Sequence, residues 1–326
     1  METPPIQHTM SLGVERCLNK RPHTSLLGAF VLGLVLFGIV ILTASLIRVH
    51  QRTQTAAVAA SQSAFDAISL KAESAIVVDL TSGRVVYARN PDAQLPLASL
   101  TKVPLALVVS KVLPSDYSIT IPYDTSAAGS AERLAKGDRW HVKDILAFTL
   151  VASSNGGADI LANAANEVVR QRYPGAPDIN ATLWRMNQLS RELGLEHTYF
   201  LNPSGLDESA TQSGAYGSAR DVATLFAYAA SSSPSVFAST GRDGMQLQST
   251  DGNKTAAINT NTALGDIPGF IMGKTGYTDL AGGNLAIVFD VGIAHPVAVV
   301  VMHSTRDGRF DDMKKLVSAA RATITP

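Results

Sequence analysis

The chain has 326 residues with 27 basic and 27 acidic side chains, a formal net charge of zero, so nothing electrostatic points to a nucleic-acid partner. Its single cysteine, Cys17, excludes an intramolecular disulfide, so an exported body must be held by its core, and roughly 250 residues bury enough surface for that. The histidines are scattered, none at a metal-ligand spacing, and neither a metal nor a cofactor is expected.

Residues 1–25 are short, polar and unpatterned, and are expected to be cytoplasmic. From Leu26 to Ile47 run 22 residues without a charge, matching the roughly 20 apolar residues that a membrane-spanning helix needs. A signal peptide usually has an apolar region of only about 7–15 residues. The small-residue run Ala56–Ala60, which resembles a cleavage site, lies past Arg48, His50 and Arg52. Residues 26–47 therefore read as an uncleaved single-pass transmembrane anchor. Arg16, Lys20 and Arg21 before it against Arg48 and Arg52 after it bias the N-terminus slightly toward the inside. Residues 48–70, rich in Ala, Gln, Ser and Thr, are expected as a juxtamembrane linker, partly helical toward Leu70, and residues 71–326 as one body.

The body opens with a predicted hairpin: Ala75–Leu80, the turn Thr81-Ser82-Gly83, and Arg84–Ala88. Helical patterning follows over Leu100–Val112, Val142–Ala152, Ala158–Arg170, Ala181–Leu193 and Ala219–Ala229. Strands return at Phe270–Thr275, Leu285–Val291 and Pro296–Met302. The last predicted element is a helix over Asp311–Ala322, with Met313, Leu316, Val317 and Ala320 on one face. Strands at both ends and helices between them predict an α+β fold. The two ends meet in one antiparallel sheet of about five strands, the helical middle forms a second lobe, and the cleft between them is the ligand site.

Three triplets carry chemistry. In Ser99-Leu100-Thr101-Lys102, residues three apart share a helix face, and a lysine whose pKa is lowered can take the proton of a serine nucleophile. Alone the pattern is common, and Ser99 could simply cap the helix. Ser153-Ser154-Asn155 follows a predicted helix; alone, such a triplet is ordinary turn chemistry. Lys274-Thr275-Gly276 offers an amine and a hydroxyl to a carboxylate and a glycine to an approaching backbone. It is not a phosphate loop, because Pro268 stands where that loop needs glycine.

In this order the triplets match the set of penicillin-binding proteins and class A β-lactamases. With Leu97–Lys102, Leu193-Gly194-Leu195, His197-Thr198, Asn202-Pro203-Ser204-Gly205-Leu206, Ser218–Asp221, Gly273–Thr278 and Ala281–Leu285, the body from about Ala72 to Ala322 resembles the low-molecular-weight D-alanyl-D-alanine carboxypeptidases, serine peptidase family S11. The resemblance implies a β-lactamase/transpeptidase-like fold in which residues 71–326 are the catalytic domain, outside the cell membrane on the periplasmic or cell-wall side. It implies that Ser99 is the nucleophile, Lys102 its base and Ser153 a proton relay. Asn155 would hold the acyl-side amide, and Lys274 and Thr275 the terminal carboxylate. Gly276 leads to Tyr277, whose N–H would form the oxyanion hole with that of Ser99. The implied partners are peptidoglycan stem peptides ending in D-Ala-D-Ala, and β-lactams as covalent inhibitors.

Three features depart from the family pattern. Gly156-Gly157 stands where Asp-Ala is frequent, Pro104 is expected to bend the catalytic helix by removing a hydrogen bond to Leu100, and no C-terminal β-domain or membrane-associating helix is recognised, a role the N-terminal anchor is expected to fill. The alternatives are a D,D-endopeptidase cutting cross-links with the same residues, a β-lactamase, and a non-catalytic penicillin sensor. A class A β-lactamase needs a Glu-x-x-Leu-Asn loop, which the chain lacks, so a slowly hydrolysed penicilloyl adduct is expected. The 25 residues before the anchor are too few for a folded signalling domain, which weighs against the sensor.

Overall fold

The computed structural model describes residues 31, 35–48, 64–122 and 134–324. Contacts divide the chain into two units, Met1–Ala57 and Val58–Pro326. In the first, residues 35–48 form a helix, α1, whose apolar side chains are exposed, Phe37, Val40, Leu42 and Leu46 among them. The expected cytoplasmic segment 1–25 and residues 26–30 and 32–34 of the expected anchor lie outside the described residues, as do 49–63 of the expected linker. No described helix is long and apolar enough to cross a membrane.

The second unit is built on a five-stranded antiparallel sheet of β1 (Ser74–Asp79), β2 (Val85–Arg89), β3 (Phe270–Thr278), β4 (Gly282–Asp290) and β5 (Pro296–Ser304), in the order β3-β4-β5-β1-β2. The two ends of the body do meet: β1 pairs with β5 from Ser74↔Met302 to Asp79↔Val297. Alternate residues serve opposite faces. Ile76, Ala286, Val288, Ala298 and Val300 pack toward the helical middle, while Val77, Leu285, Ile287, Phe289, Val299 and Val301 pack into a second core. Burial on both faces explains why these strands read as continuous apolar runs rather than alternating ones.

The helices are α2 (Lys102–Val112), α3 (Val142–Val151), α4 (Asn155–Arg172), α5 (Ala181–Glu192), α6 (Ala219–Ser232), the single turn α7 (Pro234–Phe237) and α8 (Gly308–Thr323). Val222, Phe226 and Ala229 of α6 join the first core. Met313, Leu316, Val317 and Ala320 of α8 close the second, as their spacing predicts. Phe65 and Leu70 are buried in that second core, and the Phe65 ring stacks on Tyr87 at 5.1 Å, so the last part of the segment read as linker packs into the body.

Two local expectations change. The helix predicted from Leu100 begins as a 3-10 turn, Ala98–Thr101, and becomes α-helical at Lys102. Pro104 then falls in the first turn of α2, where its missing N–H forfeits no helix hydrogen bond, and the change of helix type precedes it. Helix α4 starts three residues earlier than predicted. The Ser154 hydroxyl caps it by accepting the Gly157 N–H at 3.0 Å, a contact that stabilises a helix by about 1 kcal/mol. The Gly-Gly departure also has a local cause, since a Cβ at Gly157 would collide with the Thr149 hydroxyl and lie 3.2 Å from that of Ser154.

Candidate active site

Ser99 sits in the 3-10 turn between the sheet and α2, delivered by a chain fixed on both sides. Leu97 N–H donates to Ala215 O at 3.0 Å. The Asn284 amide in β4 donates to Pro96 O and Leu97 O at 2.9 and 3.1 Å, and its oxygen accepts the His303 N–H at 2.8 Å. Ala98, just before the serine, has φ +48°, a conformation that costs a non-glycine residue about 1–3 kcal/mol and persists only when its surroundings enforce it. The enforcers are visible. The Thr101 hydroxyl donates to Ala98 O at 2.7 Å, and Gly205, at φ +78°, packs so closely that a Cβ there would strike the same carbonyl.

Helix geometry places Lys102 beneath Ser99. The lysine is fully buried while Ser99 is half-buried, so of the two the serine is the one solvent reaches. Lys102 Nζ lies 2.7 Å from Ser99 Oγ, 2.7 Å from Asn155 Oδ1 and 2.8 Å from Ser204 O. Burial pushes its pKa down to about 7, against the pull of the nearby Asp159 carboxylate. As an ammonium, Lys102 donates to all three oxygens. As a neutral amine it keeps two of them and turns its lone pair to Ser99, accepting that hydroxyl's proton.

Ser153 is a second enforced position, at φ +59° between α3 and α4. Its Oγ accepts from Lys274 Nζ at 2.7 Å, and the same amine donates to Thr275 O at 2.9 Å. Lys274 is 2% exposed, and burial, then the charges of Lys102 and Arg309, hold its pKa well below the usual lysine value. Lys274 lies on β3, an edge strand of the sheet that pairs only with β4. Gly276 brings that edge against the serine: a Cβ there would lie 2.8 Å from Leu97 O and 3.2 Å from Ser99 N. The arrangement joins an accessible hydroxyl, a buried base of near-neutral pKa, a second amine–hydroxyl pair and an open strand edge. Such a set suits nucleophilic acyl transfer on an extended peptide.

A family model described as D-alanyl-D-alanine carboxypeptidase, Peptidase S11, matches residues 57–306. The chain belongs to this family of serine peptidases. It is 29% identical to the D-alanyl-D-alanine carboxypeptidase DacF of Bacillus subtilis (strain 168), over 77% of this chain and 62% of that one. It is 31% identical to the D-alanyl-D-alanine endopeptidase of Escherichia coli (strain K12), over 70% of each. The structure is similar to penicillin-binding protein D2 of Listeria monocytogenes in the ampicillin-bound form, with a TM-score of 0.64 and 26% identity over 77% of this chain and 98% of that one. The chain thus spans less than two thirds of the length of DacF.

Within this S11 peptidase the structure brings together Ser99, Lys102, Ser153, Asn155 and Lys274, from a 3-10 turn, two helices, a loop and a strand. Thr275 and Gly276 follow on β3, whereas the Tyr277 side chain points outward and is 43% exposed. Sequence reasoning assigned no role to several residues that hold the site. Asn202 Oδ1 accepts the Gly205 N–H at 2.7 Å and shapes the turn that presents Ser204 O to Lys102. Thr260 Oγ1 lies 2.6 Å from Thr275 Oγ1. Arg309, its pKa pushed down to about 10 chiefly by burial, donates to Gly276 O at 2.6 Å. The stretches holding Asn202, Ser204 and Asn284 belong to the family resemblance, but Thr260 and Arg309 carry no local signal. Asn284→Ala removes the side-chain partner of three backbone groups beside the catalytic turn, of which Leu97 O alone keeps a second bond, from Leu100 N–H, and stability is expected to fall by about 2–4 kcal/mol, read as a drop in Tm of roughly 5–12 °C. An unchanged Tm would show that the amide is dispensable.

Proposed function

We propose that this S11 peptidase is a serine-type D-alanyl-D-alanine carboxypeptidase that removes the terminal D-alanine from peptidoglycan stem peptides through an acyl-enzyme. The observation that carries this is the 2.7 Å contact between the Ser99 hydroxyl and a buried lysine amine whose pKa stands at about 7.

With Lys102 neutral, Ser99 Oγ attacks the carbonyl carbon of the D-Ala–D-Ala amide while its proton passes to Lys102 Nζ. The negative charge forming on the carbonyl oxygen is received by the backbone N–H groups of Ser99 and Tyr277; each such donor is typically worth about 10²–10³ in rate. The C–N bond then breaks, and the departing nitrogen takes a proton through Ser153. Asn155 holds the acyl-side amide, and Lys274 and Thr275 receive the carboxylate of the departing residue. That carboxylate favours the charged form of Lys274, which its burial and cationic neighbours oppose in the free site. Water attacks the Ser99 ester, the shortened stem peptide leaves, and Ser99 regains its proton. β-Lactams acylate the same hydroxyl, and without a dedicated deacylating glutamate the adduct turns over slowly.

The test is mass spectrometry of pentapeptide muropeptides after incubation. The expected product is a tetrapeptide plus one D-alanine, and intact pentapeptides would refute the reading.

We further propose that residues 26–47 anchor the chain with residues 1–25 cytoplasmic and the catalytic domain outside. The uncharged run and the exposed apolar side chains of α1 support this. The full chain is expected to sediment with membranes after alkaline washing, and a chain starting at Val58 to stay in solution. Equal solubility of the two would remove the anchor.

A further inference from the structure

Thr275 Oγ1 on β3 and Thr260 Oγ1 lie 2.6 Å apart, and either hydroxyl can donate to the other. Among the described residues neither oxygen makes a further hydrogen bond. Each hydroxyl carries one proton. One of the two protons closes the contact, so the pair holds one spare donor. Thr275 is 3% exposed, and Thr260 is half-buried.

Both partners are held from outside the pair. Thr260 lies in the connection between the strand Lys254–Ile258 and β3, and its N–H donates to Val151 O at 3.2 Å, just ahead of Ser153. The amide of its neighbour Asn259 donates to Thr240 O and Arg242 O at 2.9 and 2.8 Å, and the Asn259 oxygen accepts the Asn261 N–H at 2.9 Å. The Thr240 hydroxyl accepts the Gly273 N–H at 3.2 Å, next to Lys274. Thr240 therefore ties this connection to β3 and keeps the Thr260 hydroxyl against Thr275.

A carboxylate only accepts hydrogen bonds. When one reaches Thr275, the Thr275 proton turns to it, and the contact with Thr260 survives only if Thr260 donates. A hydroxyl that accepts one bond is a stronger donor in the next, because hydrogen bonds in a chain polarise one another. Lys274, as an ammonium, commits two of its N–H groups to Ser153 Oγ and Thr275 O, which leaves a single N–H and the Thr275 hydroxyl for the carboxylate.

We infer that Thr260 is a positioning residue that donates to Thr275 Oγ1 and so fixes the Thr275 hydroxyl as a donor to the terminal carboxylate of the substrate. The inference rests on Thr275 receiving that carboxylate. It makes the two-hydroxyl relay selective for an acceptor-only terminus, so a substrate without the carboxylate gains nothing from Thr260.

The experiment measures kcat and KM for D-alanine release from a peptide ending in D-Ala-D-Ala. It also measures, at excess enzyme, acylation by the same peptide ending in D-alanyl-ethylamide, in which hydrogen replaces the carboxylate. Wild type, Thr260→Val, Thr260→Ser, Thr275→Val and the double valine variant are compared. Tm is recorded for each, and Thr260→Ala replaces the valine variant if that one unfolds. Thr260→Val is expected to raise KM about threefold to tenfold with kcat within about twofold, as loss of a hydrogen bond present equally in ground and transition states does. Thr260→Ser should return KM to within about twofold of wild type, and Thr260→Val should leave acylation by the ethylamide within the same margin. Thr275→Val should raise KM at least as far, and Thr260→Val added to it should have no further effect, since the relay acts through Thr275. An unchanged KM in Thr260→Val, equal losses on both peptides, no recovery in Thr260→Ser, or additive losses in the double variant each overturn the inference. A KM indifferent to Thr275→Val overturns it together with the carboxylate role of Thr275. A wild type that releases no D-alanine strikes the carboxypeptidase reading itself and the inference with it.

Discussion

Ser99→Ala is expected to reduce D-alanine release by at least about 10³-fold, as removal of the nucleophile from a catalytic unit does, with Tm nearly unchanged. The separation follows from the geometry. The Ser99 hydroxyl is the group through which Lys102 reaches the cleft, but the strained backbone around it is held by other residues. Ala98 is fixed by Thr101 and Gly205, Leu97 by Ala215, and the Pro96 and Leu97 carbonyls by Asn284. Loss of one hydroxyl removes none of these. Lys102 keeps its contacts to Asn155 Oδ1 and Ser204 O. A folded, inactive variant is therefore the expected product. If Ser99→Ala still released D-alanine at a tenth of the wild-type rate, another nucleophile would have to be sought.

Lys102→Met carries the second large effect. General-base assistance is typically worth about 10²–10⁴ in rate, and acylation is expected to fall by that amount. Methionine is close enough in volume to keep the packing of α2. The pH dependence makes the prediction specific. Burial lowers the Lys102 pKa to about 7, so the neutral, proton-accepting form predominates above that pH and the ammonium below it. Wild-type acylation should rise with pH through about 7 and level off above it, falling about tenfold per unit on the acid side. Lys102→Met should lose this limb along with the rate. An acid limb that persists in the methionine variant would assign the titration to another group.

Much of the architecture is written in local pattern. Residues 74–89 and 270–304 combine β-branched runs with turn chemistry, and the face of α8 repeats at helical spacing. That placed the antiparallel sheet and the helical middle correctly. The three triplets were also legible, because each keeps its residues within four positions and together they form a set. What stayed hidden depends on contacts between distant segments. Thr260 becomes part of the site only because the chain after residue 258 crosses the end of α3, where Thr260 N–H donates to Val151 O at 3.2 Å. Arg309 reaches Gly276 from α8, 33 positions away in sequence. Asp159 biases Lys102 from one turn beyond Asn155. The strained φ angles of Ala98 and Ser153 were equally unreadable, because neither residue type favours that conformation and only the packed surroundings impose it. The start of α4 was missed because two glycines are poor helix formers, yet a serine cap and a crowded Thr149 make them fit.

Everything in the mechanism depends on a buried amine activating one hydroxyl. The most direct measurement is covalent labelling of the full chain with benzylpenicillin across pH 5–9, followed by peptide mapping in a mass spectrometer. One adduct on the peptide carrying Ser99 is expected, forming more slowly below about pH 7 and absent from Ser99→Ala. An adduct on a different residue, or labelling of Ser99 at a rate indifferent to pH across that range, would contradict it.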